Sequence, residues 1–182
     1  MTRTLVAFVH GFISGPHCWD PFVDRLEQDP DFPPETYRFI RYEYPTSLLQ
    51  LSPAKRLPSI KECANSLGDF LDAQADYDQL FLVGHSMGGL VIQQLLAQKI
   101  VEQRGKDLAK IRSVILFATP NRGSTVVSNV RGLLFRLFDN PQEEELRVLD
   151  TKIADVSDTI TRFVLDAKSI DKTCCPIPFR AF

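Results

Sequence analysis

"FLVGHSMGGLV", Phe81 to Val91, runs apolar up to Gly84, shows a single serine, and turns apolar again. Leu80 to Val83 reads as a strand buried on both faces. Met87 to about Gln103 reads as a helix, with Lys99 and Arg104 near its negative end and Gly105 to stop it. Gly84-His85-Ser86-Met87-Gly88 therefore fits G-x-S-x-G between a strand and a helix, the context that gives this pattern meaning. A serine on so tight a turn carries strained dihedrals, so its neighbours two positions away must lack side chains. Gly84 and Gly88 meet that need, and Gly89 lets the helix approach the sheet closely. Such a turn lifts Ser86 Oγ above the sheet and places the Met87 backbone N–H where a tetrahedral oxyanion would form. The bland alternative is a glycine-rich turn with an incidental serine.

Working outward, Leu5 to Val9 is a second continuous apolar strand, and His10-Gly11 follows it. This is the expected place of a second oxyanion donor, the Phe12 backbone N–H, with Gly11 allowing close approach and the His10 ring orienting the loop. Trp19 to Leu26 has helical spacing, Tyr37 to Tyr44 reads as a strand, and Pro45 to Pro58 as a surface loop. Ser59-Ile60-Lys61-Glu62 is a capping box opening a helix from Ser59 to Ala75, with Ile60, Ala64, Leu67 and Leu71 on one face. Val114 to Ala118 is a further strand, ended by Pro120. Strands alternating with helices at this spacing imply an α/β fold with a mostly parallel sheet flanked by helices.

Beyond Thr119 the pattern changes. Val126 to Phe138, Pro141 to Asp150 and Asp158 to Ala167 read as three helices, an insertion after the fourth strand that would form a helical cap over 121–172 within a single domain of 1–182. Leu133, Leu134, Phe135, Leu137, Phe138, Phe163 and Val164 form either an acyl pocket or lid surface or a core stripe packing the cap down. "CPIPFRAF" then begins a fifth strand.

The bulk numbers are those of an ordinary globular domain: 182 residues, 44% hydrophobic, 24% charged, formal net charge -2. Scattered Lys and Arg argue against nucleic acid as a partner. No segment approaches the ~18 apolar residues needed to span a bilayer, and the apolar start is broken by His10-Gly11, so a strand explains it better than a signal peptide. Cys18, Cys63, Cys174 and Cys175 have neither CxxC spacing nor a histidine cluster. Reduced thiols in a cytoplasmic protein, with no metal and no cofactor, are therefore expected. Neither G-x-x-x-x-G-K-[ST] nor G-x-G-x-x-G is present, which argues against nucleotide binding.

"VAFVHGF", "LFLVGHSMGGLV" and "VILFATPNRGS" resemble, in order and spacing, the oxyanion strand, nucleophile strand and following strand of the α/β-hydrolase superfamily. The HG loop, GHSMGG, and Thr119, Pro120, Gly123 and Ser124 resemble its lipase-like and serine-active-site-containing esterase branch. The resemblance implies a serine hydrolase of carboxylic esters (small-molecule, lipid or thioester), acting through an acyl-serine, with peripheral membrane contact allowed. In that superfamily the nucleophile is followed by an acid and then a histidine. Here the histidines are His10, His17 and His85, none after Ser86. His85 is expected to pack below the turn and His17 to line the pocket. Asp139, Asp150, Asp155, Asp158, Asp166 and Asp171 all fall in the cap region, with no histidine to orient. The expectation is a C-terminally incomplete sheet, a chain carrying only the nucleophile and oxyanion half, inactive alone and poorly soluble. A non-catalytic α/β-hydrolase-like binding module is the alternative.

Overall fold

The computed structural model describes residues 2–11, 14–44, 58–119 and 143–182, with backbone only at 143–150. Five parallel strands form one sheet: β1 Thr4–Val9, β2 Tyr37–Tyr42, β3 Gln79–His85, β4 Ile111–Phe117 and β5 Phe179–Ala181, in the order β2-β1-β3-β4-β5. The helices are α1 Asp20–Glu27, α2 Ile60–Asp72, α3 Met87–Val101 and α4 Glu143–Ile160.

The sheet is apolar on both faces because successive side chains alternate across it. Leu5, Ala7 and Val9 of β1, Leu80 and Leu82 of β3, and Val114 and Leu116 of β4 pack with α2, α3 and α4. The residues between them, Phe8 and Val83 with Val6, Ile115 and Phe117, face Val23 of α1 and Trp19 instead. Helix α3 is buried nearly all round, from Leu90 and Ile92 to Leu96 and Ile100. It is enclosed by the sheet and by α2 and α4, and a helix covered on every side keeps no polar stripe.

The capping box forms as expected. Glu62 N–H donates to Ser59 Oγ at 3.2 Å, and Ser59 N–H donates to the Glu62 carboxylate at 2.7 Å. Several boundaries differ from the sequence reading, among them α2, which ends at Asp72 rather than Ala75, and β4, which begins at Ile111 rather than Val114. β2 stops at Tyr42 rather than Tyr44, where its pairing with Val9 of β1 ends, and just beyond it Tyr44 donates its hydroxyl to the His10 carbonyl. Pro141 to Asp150 and Asp158 to Ala167 are not two helices: α4 runs unbroken from Glu143 to Ile160 and continues through one wide turn, Thr161–Leu165. Nothing between 143 and 165 is Gly or Pro, and Val156, Ile160 and Val164 continue one stripe into the core shared with α3. Val164 is fully buried and Phe163 is 40% exposed. The expected helix Val126 to Phe138, the loop 45–57, and the residues Leu133, Leu134, Phe135, Leu137 and Phe138 lie outside the described residues.

Candidate functional site

The strand order places a switch point between β1 and β3. After β1 the chain leaves for α1 on one face, and after β3 it leaves for α3 on the other. Two loops that part in opposite directions leave a crevice at the carboxyl ends of the strands, where open α/β sheets hold ligands. His10-Gly11 ends one arm and His85-Ser86 the other, and Val9 lies in register with Gly84.

Ser86 sits at the apex of the second arm with φ 51 and ψ -118, one of three described non-glycine residues at positive φ. Its N–H donates to the Phe117 carbonyl at 2.8 Å, and its own carbonyl accepts from Gly89 N–H at 3.1 Å. One residue thus ends β3 against β4 and begins α3. Its side chain is half-buried, and no side chain caps the helix there. Met87, the first residue of α3, carries one of the amides that a helix start leaves without an internal partner.

The glycines make the turn sterically possible. A Cβ on Gly84 would lie 2.7 Å from Gly89 Cα, and one on Gly88 would run into the backbone carbonyls of Val9 and His10. On Gly89 it would collide with Thr119 Oγ1. Added to Gly11, it would lie 3.0 Å from His85 Nδ1 and 3.3 Å from Ser86 Cβ, so the HG loop lies directly against the serine.

The three histidines do three different things. His10 is 1% exposed; its Nδ1 lies 2.8 Å from the Gly11 carbonyl, its ring stacks on Tyr44, and desolvation by burial lowers its pKa. A carbonyl only accepts, so Nδ1 carries the proton. His85 meets the Trp19 ring edge-on at 6.4 Å and lies beneath Gly11. The His17 side chain is 89% exposed and pairs with Asp20 at 3.1 Å. None of the three is hydrogen-bonded to Ser86.

Ser86, Met87, Gly84, His85, Gly88, Gly89, His10 and Gly11 are thus gathered at one point, while Phe12 lies outside the described residues, as do Pro120, Gly123 and Ser124. Sequence reasoning missed Tyr44 and Ser14. Ser14 Oγ accepts from Gly11 N–H at 3.0 Å, and Tyr44 donates to the His10 carbonyl at 2.6 Å. The alternation of Tyr42 and Tyr44 beside β1 was the available signal for Tyr44; Ser14 offered none. Among the described residues no three His, Cys, Asp or Glu side chains gather as metal ligands would. Also among them, no helix is long and apolar enough to cross a membrane.

A parallel sheet whose switch point carries a serine on a strained strand-to-helix turn defines a class of α/β proteins built around that turn. The family model described as the alpha/beta hydrolase family matches residues 6–168, and the chain belongs to that family. Among solved structures, it is similar to an extracellular alpha/beta-hydrolase from a Paenibacillus species, with 20% identity over 91% of this chain and 61% of that one and a TM-score of 0.47. An esterase from a Rhodococcus species is 21% identical over 68% of this chain and 42% of its own, with a TM-score of 0.49. A carboxylesterase of the thaumarchaeon Nitrososphaera gargenis is 16% identical over 75% and 45%, also at 0.49. The chain therefore spans between 42% and 61% of the length of these structures. No curated protein sequence matches it significantly.

Proposed function

We propose that the chain is the nucleophile and oxyanion half of a serine hydrolase that cleaves carboxylic esters, small-molecule or lipid, through an acyl-serine. The observation that carries this reading is Ser86 at φ 51 and ψ -118, held between the Phe117 carbonyl and the first turn of α3. A backbone this strained persists where the surrounding structure over-determines it, and such positions cluster at reacting centres. The Ser86 hydroxyl attacks the ester carbonyl carbon. The carbonyl oxygen takes up negative charge, which the Met87 amide and the amide following Gly11 stabilise as donors. The alcohol then leaves with a proton, and water releases the acid from the serine.

Proton transfer needs a base, and none of His10, His17 and His85 is hydrogen-bonded to Ser86. In this reading the histidine and its acid come from outside residues 1–182. The same placement of the histidines favours a second reading, a non-catalytic module binding an ester-like ligand in the crevice.

Two measurements test the proposal. A fluorophosphonate probe should label Ser86 in a chain that supplies the histidine, and Ser86→Ala should abolish the label. The same chain should hydrolyse p-nitrophenyl esters, whereas saturable ligand binding without turnover would establish the module instead.

A further inference from the structure

We propose that Tyr44 is a positioning residue for the loop that faces Ser86, an inference that rests on reading Ser86 as the nucleophile. Tyr44 lies just past β2 and is 3% exposed. Its hydroxyl donates to the His10 carbonyl at 2.6 Å, and its ring stacks on the His10 imidazole at 4.4 Å and 15°. The peptide group joining His10 to Gly11 is thereby pinned at both ends. Tyr44 holds its carbonyl, and Ser14 Oγ holds its N–H at 3.0 Å.

A peptide group is planar, so fixing both ends leaves it no freedom to rotate. The next peptide group is anchored by its Gly11 carbonyl, which accepts from His10 Nδ1 at 2.8 Å and from Ser14 Oγ at 3.3 Å. That second group carries the amide proposed as an oxyanion donor. Tyr44 thus acts on the site through two groups at once, the carbonyl it bonds and the ring it stacks. A Cβ on Gly88 would run into that same His10 carbonyl, so the start of α3 packs closely against the group that Tyr44 holds. Burial holds the Tyr44 phenol protonated, which keeps it a donor.

Tyr42 supplies a matched comparison. It is buried at the end of β2, two residues before Tyr44, and its hydroxyl donates 2.8 Å to Ser66 Oγ on α2, away from the loop. Tyr44→Phe and Tyr42→Phe each remove one buried hydroxyl and keep the ring. The test makes each substitution in the chain that supplies the histidine and compares it with that parent in three respects: the rate and saturation constant of fluorophosphonate labelling at Ser86, the Tm, and the exchange rate of the Gly11 amide by NMR. Tyr44→Phe should slow labelling about tenfold at an unchanged saturation constant, the scale of one lost hydrogen bond expressed at the transition state. Tyr42→Phe should stay within roughly twofold at a similar loss of Tm. Equal labelling by the two variants would overturn the proposal. A parent chain that takes no label sinks the nucleophile reading instead. The positioning role is then read from Gly11, whose amide should exchange faster in Tyr44→Phe than in Tyr42→Phe; equal exchange would overturn it.

Discussion

Ser86 carries a Cβ at φ 51 and ψ -118, a conformation that glycine adopts freely and serine does not. Strain of this kind is worth about 1–3 kcal/mol. Ser86→Gly should release it, less the extra chain entropy of an unfolded glycine, and raise the unfolding free energy by about 1 kcal/mol in urea titration. A loss of stability would mean that the side chain contributes more than its backbone costs. The His10 ring gives a second prediction. Burial lowers its folded pKa below the ordinary 6.5, so the unfolded chain takes up a proton first as pH falls. Its contribution is fully present above about pH 6.5 and is lost as pH falls through the folded value. The urea midpoint should therefore drop between pH 7.5 and pH 5, and His10→Asn should flatten that drop. Parallel profiles would show that His10 does not drive it.

At the scale of elements, legibility follows from how local the causes are. The Ser59 box was readable because both of its hydrogen bonds close within four residues. Ser59→Ala should cost about 1 kcal/mol in unfolding free energy, and a thermal melt matching the parent would show that α2 does not need its cap. The buried strands were readable because a parallel sheet covered on both faces demands continuous apolar runs such as Leu5 to Val9. The break assumed before Asp158 was not there, because polar residues on an exposed helix side look like a gap when the buried stripe is unknown. The serine turn was legible because steric need writes glycines at fixed spacings. Tyr44 was not, because its contact with His10 spans 34 residues and exists only once β2 lies beside β1 in register.

For the whole molecule, β2 and β5 are the outer strands among the described residues. Phe182 pairs back onto Leu116, stacks on Phe117 at 5.5 Å, and remains 73% exposed, while Phe22, also against Phe117, is 48% exposed. An edge that no described residue pairs, beside exposed aromatics, invites strand-to-strand association. Sedimentation should show mass rising with concentration, and Phe182→Lys should reduce that rise; a monomer at every concentration would contradict it. The topology also carries a kinetic consequence. β1 closes on β3 through contacts 75 residues apart, as Arg3 N–H on Asp78 shows, and the Ser86 amide is satisfied only by a carbonyl of β4. Long-range parallel pairings of this kind form slowly, since the closure entropy must be met before any contact rewards it. The strained bend at Ser86 is accordingly among the last features to mature, and a nascent or half-refolded chain would hold that serine in an ordinary backbone conformation.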